Sequence, residues 1–405
     1  MLTAIAPSPR LFRTAPFLGF AGFGAFWGVW GATLPLLRAQ AGVSDAEFGL
    51  ALLFVAAGAL PAMLVAGRLV DALGLRVAGV LLALLGVMGL VVCLASVGFA
   101  AMCVGILLVG AGSGATDVAI NTLAAAVEKR TGRPVVARSH AAFSVTVAVS
   151  SLGAGALAGR ADSLLVNFAA GAVATVSLGL AVVAATRSAP DQDAPGSLVV
   201  PGRRDAPRRA DRLSGRVALL MIGAVGALAF ASENAYQSWG AVLLTDEFAA
   251  SPPLAAAAPA AFAATAALAR FATAAITLRR PIAMLAGGGV IATGGGLLTA
   301  SATTLPLALV GVVAAAAGTS VLFPTLLSWG LRPVPDASRG RATSAISTVA
   351  YLGFLAGPAY FGLLADATGV QGAFIGIAAL TAVLLATIPV LPAAAAGAPG
   401  EADDR

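Results

Sequence analysis

The chain alternates between long apolar stretches and short polar connections from Pro16 to about Leu391. Each apolar stretch holds about 20 residues, the length that a helix needs to cross a ~30 Å hydrocarbon core. Membrane-spanning strands are shorter and alternate in polarity, so a β-barrel does not fit. The pattern therefore predicts an all-α polytopic membrane protein with twelve transmembrane spans. The predicted spans 1 to 12 cover 16–37, 46–67, 76–97, 100–126, 136–159, 163–186, 216–244, 253–278, 281–301, 305–331, 341–364 and 370–391.

The composition excludes a soluble globular protein. Hydrophobic residues make up 59% of the chain and charged residues only 10%, whereas a soluble domain has roughly 25% charged residues. Both cysteines, Cys93 and Cys103, fall inside predicted spans, so no disulfide framework is expected. The single histidine cannot build a zinc site. We therefore expect neither a metal nor a cofactor.

Basic residues are distributed unequally between the connections. Of the 24 basic residues, Arg38 and Arg160 fall in one set of loops and Arg270 falls inside span 8. The other 21 lie at the termini, in the alternate set of loops or within the first three residues of the spans that follow those loops. Because basic loops stay in the cytoplasm, both termini are predicted to be cytoplasmic. The net charge of +6 then needs no nucleic-acid partner.

One long polar segment divides the chain into two similar halves. Residues 187–214 hold four prolines among scattered charges, which is typical of a flexible linker. A Trp-Gly-Ala motif begins at Trp30 late in span 1 and again at Trp239 late in span 7. Two repeats of six spans are the construction of one class of transporters. The predicted domains are residues 1–186 (six-span half), 187–214 (cytoplasmic linker), 215–391 (six-span half) and 392–405 (cytoplasmic tail).

The segment between spans 2 and 3 has a recognisable motif. It reads Gly67-Arg68-Leu69-Val70-Asp71-Ala72-Leu73-Gly74-Leu75-Arg76 and resembles the signature loop of the major facilitator superfamily. This resemblance implies two six-helix halves that alternate access to a solute bound between them. It also implies that the loop is a cytoplasmic latch whose gating residues are Gly67, Arg68, Asp71, Gly74 and Arg76.

The second half carries an eroded copy of this motif, in which Ala269 and Thr273 replace the glycine and the aspartate. We expect Arg270 to pair within that copy and the first copy to serve as the latch. We also expect the protein to be a monomer.

A narrower resemblance covers most of the chain. Asp117-Val118-Ala119-Ile120-Asn121, the segment from Arg138 to Ser144, and Glu233 with Trp239 are similar to the fucose-permease-like bacterial branch of the superfamily. That resemblance favours a sugar-like metabolite as the solute and implies a bacterial inner membrane as the location. Drug or metabolite efflux remains an alternative, although span 5 has Gly153-Ala154-Gly155 in place of the Gly-Pro motif of export antiporters.

Two acids lie deep in the predicted spans. An ionised side chain there costs at least ~2.5–3.5 kcal/mol, so Asp117 and Glu233 are candidates for function. Each has an amide four residues later on the same helical face, Asn121 and Gln237. In the superfamily fold, helices 1, 4, 7 and 10 line the central cavity. The predicted substrate or coupling residues are Asp117, Asn121, Glu233, Asn234, Gln237, Trp27, Trp30, Trp239 and His140.

Structural roles compete with each of these functional roles. Asp117 and Glu233 are also suited to hydrogen bonds that clamp helices together, the tryptophans to packing, and His140 to a polar packing position. For proton coupling we favour Glu233, because amides flank it.

The function predicted from the sequence is secondary active transport. The solute is a small polar molecule, protons supply the coupling, and the protein is not an enzyme. A primary pump is excluded because the only lysine, Lys129, is followed by Arg130 and forms no nucleotide-binding motif. An intramembrane serine protease is a distant alternative, disfavoured because Ser113 and His140 differ in depth by roughly 13 Å at 1.5 Å per residue.

Overall fold

The structure, a computed structural model, describes residues 9–161, 163–187, 209–334 and 336–391. Within these ranges the regular structure is entirely helical and no strand occurs. The helices are α1 (Pro9–Ala41), α2 (Asp45–Leu73), α3 (Val77–Ala95), α4 (Phe99–Thr131), α5 (Val135–Ala161), α6 (Leu164–Thr186), α7 (Arg209–Phe248), α8 (Pro252–Ala255), α9 (Ala257–Arg279), α10 (Pro281–Ala300), α11 (Leu305–Gly330) and α12 (Asp336–Thr387), followed by a 3₁₀ turn at Ile388–Val390.

Eleven helical segments in the described ranges are long and apolar enough to cross a membrane. Each predicted span coincides with helix, and span 8 consists of the single turn α8 followed by α9. The predicted loop at residues 67–76 is mostly helical instead, because α2 continues to Leu73 before Gly74 ends it. The polar residues of this motif are tolerated in a helix that has already passed its apolar stretch.

The last helix is longer than one membrane crossing. α12 has 52 residues, about 78 Å at 1.5 Å per residue, which exceeds twice the ~30 Å hydrocarbon core. Gly369 interrupts it with φ 80°, a left-handed conformation that glycine adopts without a steric penalty. One interrupted helix therefore stands where the sequence predicts spans 11 and 12.

The described residues form two compact units. The first unit contains residues up to 187 together with 238–264, and the second contains 209–237 and 265–391. The division therefore passes through α7 and α9. Residues 188–208, most of the predicted linker, and the predicted tail lie outside the described residues.

Glycines bring the helix backbones together inside each unit. In the first unit α1 packs on α5, α2 on α4 and α3 on α6. A methyl group placed on Gly58 of α2 would lie 2.0 Å from the carbonyl oxygen of Leu107 on α4. In the second unit, a methyl group on Gly353 of α12 would lie 1.8 Å from the carbonyl oxygen of Ala227 on α7. Such close approach is typical of membrane helices, where packing replaces the hydrophobic effect between helices.

Candidate functional site

The first unit holds a chain of polar side chains, here called the first polar cluster: Asp117, Asn121 and His140. The Asn121 side-chain NH₂ donates to Asp117 Oδ1 at 3.1 Å and to the Asp117 carbonyl at 2.9 Å. Its Oδ1 lies 3.2 Å from His140 Nε2 on α5. Phe20 of α1 covers the imidazole edge-on, with ring centroids 4.6 Å apart. A carboxyl and an imidazole on two helices are thus joined through one amide.

The first polar cluster combines a carboxyl and an imidazole, two side-chain types that are suited to proton exchange. Imidazole changes charge near neutral pH, and a carboxyl inside a membrane span is a candidate proton carrier. In the described part of the chain, Asp117 has no ion-pair partner. The amide of Asn121 fixes the carboxyl in place without balancing its charge.

The second unit holds the second polar cluster: Glu233, Gln237, Arg270 and the backbone carbonyl of Ser320. Arg270 Nη2 donates to Glu233 Oε1 at 2.7 Å, and Arg270 Nε donates to the Ser320 carbonyl at 2.9 Å. Gln237 Nε2 donates to the same Glu233 oxygen at 3.3 Å. The cluster links α7, α9 and α11. The expectation that Arg270 pairs within the eroded motif is wrong, because a long guanidinium side chain reaches the buried carboxylate and balances its charge.

The two charges of this ion pair differ in exposure. The Glu233 side chain is 9% exposed and the Arg270 side chain 44%. An Arg within a span is stable facing water or protein but costly facing lipid. In the second polar cluster, the guanidinium is therefore the accessible group and the carboxylate is the buried one.

The remaining predicted residues of α7 and α1 are mostly packed. Asn234 is buried and its NH₂ group donates to the Phe354 carbonyl at 2.6 Å, which ties α7 to α12. Trp239 is fully buried and meets Phe48 edge-on at 5.4 Å between centroids. Trp30 is 4% exposed, whereas Trp27 keeps part of its surface exposed and lies edge-on to Trp30 at 6.0 Å.

The gating motif forms the end of α2 and the turn into α3. The Gly74 N–H donates to the Val70 carbonyl at 2.9 Å and its φ is 79°, so glycine is required there. Arg76 Nε donates to the Leu73 carbonyl at 3.1 Å, and Arg68 Nη1 approaches the Leu64 carbonyl at 3.4 Å. The Gly67 backbone has open space beside it. Asp71 is exposed and, among the residues that the structure describes, accepts no hydrogen bond and forms no ion pair.

Sequence reasoning missed a charged cluster in the first unit: Arg38, Asp45 and Asp246. Arg38 forms ion pairs with both aspartates. In the same unit, Val29 and Ala32 of α1, Ala154 of α5 and Ala256 form an apolar cluster. The available signal was that Arg38 is one of two basic residues in the loops that otherwise lack them.

The described ranges contain no group of three or more His, Cys, Asp or Glu side chains arranged to hold a metal ion. Cys93 and Cys103 are both free and buried.

Comparison with known families identifies the chain. A family profile described as Major Facilitator Superfamily matches residues 17–358 and again 222–404. The chain belongs to the major facilitator superfamily. Its similar relatives include an uncharacterised MFS-type transporter from Yersinia pestis, 29% identical over 344 residues, covering 84% of this chain and 85% of the relative. An uncharacterised transporter from Sinorhizobium fredii is 28% identical over 379 residues, covering 92% and 96%.

Solved structures share the fold at low sequence identity. The nucleoside transporter NupG matches with a TM-score of 0.71 and 16% identity over 94% of this chain and 98% of that one. A POT family transporter in complex with a thioalcohol-conjugated peptide matches with a TM-score of 0.69 and 13% identity over 96% and 97%. The family and these relatives are transporters, so this multi-pass membrane protein is a transporter and not an enzyme. The resemblance to the fucose-permease-like branch remains a prediction.

Proposed function

We propose that this superfamily member is a secondary active transporter that moves a small polar solute by alternating access and is coupled to protons. The observation that carries the proposal is the first polar cluster, in which the Asp117 carboxyl inside α4 connects through Asn121 to His140 on α5. An ionisable carboxyl inside a membrane span costs free energy, and such residues are retained mainly where they serve a function.

We propose Asp117 rather than Glu233 as the proton carrier, and the contacts of the two intramembrane acids support this choice. Glu233 has the guanidinium of Arg270 as a countercharge. Asp117 has a neutral amide. Ionised without a countercharge, it costs at least ~2.5–3.5 kcal/mol at the membrane centre, and binding a proton removes that cost. The sequence alone favoured Glu233. It could not reveal the ion pair with Arg270, because the two residues are 37 positions apart.

The coupling is tested with Asp117→Asn in proteoliposomes, using a solute that stabilises the purified protein in a thermal-shift screen. We expect the variant to lose accumulation driven by a pH gradient and to keep exchange between equal pools within about threefold, because the conformational cycle itself does not need the proton. Asp366→Asn, which changes an exposed carboxylate on α12, is the control and should accumulate solute normally. Accumulation by Asp117→Asn that still depends on pH would contradict the assignment.

The class of solute rests on resemblance. The fucose-permease-like motifs favour a sugar-like metabolite, and the two structural neighbours described above are a nucleoside transporter and a POT family transporter in complex with a thioalcohol-conjugated peptide. Drug or metabolite efflux by antiport is the alternative. The direction of proton movement separates the two, because adding solute outside proteoliposomes alkalinises the outer medium for a symporter and acidifies it for an antiporter.

We further propose twelve spans in two halves, with Gly369 separating spans 11 and 12, and with both termini on the cytoplasmic side of a bacterial inner membrane. The length of α12 and its interruption support the count. The distribution of basic residues supports the orientation. We also propose that the protein functions as a monomer, which light scattering of the purified transporter would check.

A further inference from the structure

We propose that Arg270 binds a carboxylate group carried by the transported solute. The inference rests on the proposed transport function and narrows its solute from a polar molecule to a small organic acid. It comes from the second polar cluster alone, whose residues all belong to the second unit.

The guanidinium of Arg270 has donors to spare on its exposed side. Of its five N–H groups, one on Nε bonds the Ser320 carbonyl and one on Nη2 bonds Glu233. Within the described ranges, its Nη1 makes no hydrogen bond. Because the side chain is 44% exposed and an arginine within a span does not face lipid, these donors meet water. A carboxylate fits the planar edge of a guanidinium with two parallel hydrogen bonds.

The orientation of the ion pair determines whether a positively or a negatively charged ligand is favoured. Glu233 is 9% exposed, and its Oε1 already accepts from Arg270 and Gln237. A cationic solute would therefore approach the guanidinium before it reached the carboxylate and would be repelled. An anionic solute approaches the side of the pair that is both exposed and incompletely bonded.

The number of charges favours a carboxylate over a phosphate. The other basic side chains described in the second unit lie near helix ends: Arg279, Arg280 and Arg332. Arg279 is nine residues beyond Arg270, about 13 Å along α9. A single guanidinium matches one negative charge, whereas a phosphate monoester carries nearly two at neutral pH.

The test uses pairs of probes that differ in charge and little in shape. Purified full-length transporter is titrated with small monocarboxylic acids (hydroxy, keto, amino, sugar and aromatic acids), each beside its neutral primary amide, and binding is read as the shift in Tm. For wild type we expect at least one acid to bind and its amide to bind roughly 10- to 100-fold more weakly, the range of a hydrogen-bonded charge.

The variants assign this discrimination to Arg270. Arg270→Gln should bind acid and amide equally weakly, and Arg270→Lys should keep part of the preference without the planar fork. Because Arg270→Gln leaves Glu233 without its countercharge, the double variant Arg270→Gln/Glu233→Gln removes both charges and is expected to show the same loss. Arg279→Gln, at the end of the same helix, is the control and should bind as wild type does.

Two binding results would overturn the inference: no acid binding better than its amide to wild type, or a preference for acids that survives in both Arg270→Gln variants. Counterflow in proteoliposomes tests the carboxylate site at Arg270 separately from the proposed transport function. If neutral amides cross as fast as the acids, transport stands and the carboxylate site falls. If an acid binds through Arg270 and does not cross, the site stands and the transport proposal falls.

Discussion

Asp71 differs from the other charged residues singled out above, because it has no polar partner among the described residues. Asp117 is bonded to Asn121 and Glu233 to Arg270, whereas Asp71 stands exposed at the end of α2. A carboxylate that has no partner in this conformation can form an ion pair in another conformation of the protein. This matches the gating role that the superfamily motif implies for it.

We therefore expect Asp71→Asn to slow transport about tenfold or more while changing solute affinity by less than about threefold, since the residue biases a conformational equilibrium rather than contacting solute. Transport in proteoliposomes and binding by thermal shift measure the two quantities on the same protein. Asp71→Glu keeps the charge and should retain most of the rate. A purified Asp71→Asn protein that no longer binds solute would show that the assignment is wrong.

Contacts within one helix were predictable at this scale, and contacts between helices were not. The spacing of four residues predicted that Asn121 lies beside Asp117 and Gln237 beside Glu233, and both hydrogen bonds are present. The ion pair of Glu233 with Arg270 joins residues 37 positions apart and depends on how two helices are rotated. Arg38 and Asp246 are 208 positions apart, and periodicity carries no information about such pairs.

Glycines set the distance between helices at the scale of whole elements. α2 and α4 meet at Gly58, Gly110 and Gly114, each of which faces backbone of the other helix. Other glycines, such as Gly153 on α5 and Gly287 on α10, have open space where a side chain would stand. The two groups predict opposite responses to the same substitution.

Gly58→Ala is expected to destabilise the protein by roughly 1–3 kcal/mol, because the new methyl group would lie 2.0 Å from the Leu107 carbonyl and the helices would have to separate. Gly153→Ala should be neutral or stabilising by up to about 1 kcal/mol, since alanine favours helix and nothing stands in the way. The Tm of each purified variant, measured by light scattering or size-exclusion after heating, gives the comparison. Equal Tm values for the two variants would contradict the proposed packing.

The helices were predicted well from the sequence, because their length and hydrophobicity determine them. The ends of the helices were predicted less well. α2 runs six residues past the predicted end of span 2, into polar residues that a helix accommodates once its apolar stretch has crossed the membrane. The predicted separation of spans 11 and 12 appears only as an interruption at Gly369 within one helix. The predicted connection, residues 365–369, is so short that the helix continues through Asp366 and Thr368 as far as Gly369.

The orientation of the whole molecule is the first property that a labelling experiment can establish. In a protein whose two cysteines are replaced by alanine, Arg133→Cys should react with a membrane-impermeant maleimide only after the cells are permeabilised, because the basic α4–α5 connection is proposed to be cytoplasmic. Val97→Cys is its counterpart on the other side: Val97 is 76% exposed between α3 and α4 and should react in intact cells. The reverse pattern would invert the topology.

The proposed alternating access leads us to expect that contacts within the first unit open during transport. Residues 238–264 are held there by the ion pair of Arg38 with Asp246 and by packing of Ala256 against Ala154 and Ala32. We expect these contacts to break when the proposed transporter opens on this side. The ion pairs of Arg38 are then expected to slow the breaking of these contacts.

Arg38→Gln is expected to increase the labelling rate of a cysteine at Ala256, fully buried here, by roughly fivefold, because a partly exposed ion pair is worth about 1 kcal/mol. Labelling of Ala256→Cys in intact cells, with the natural cysteines replaced, measures the opening. Arg160→Gln is the matched control, since Arg160 is the other basic residue on this predicted side and forms no ion pair in the described part of the chain. An unchanged rate in Arg38→Gln would exclude the cluster as a restraint.

The composition of the first unit has a consequence for biogenesis. A ribosome delivers the chain in order, yet this unit needs residues 238–264 as well as residues up to 187. It is complete only when 264 of the 405 residues have been synthesised. Until then Arg38 has Asp45 but not Asp246, and the α5 surface at Gly155 lacks the α8 turn that covers it. We therefore expect the first six helices to enter the membrane before these contacts exist, and residues 238–264 to complete the unit afterwards.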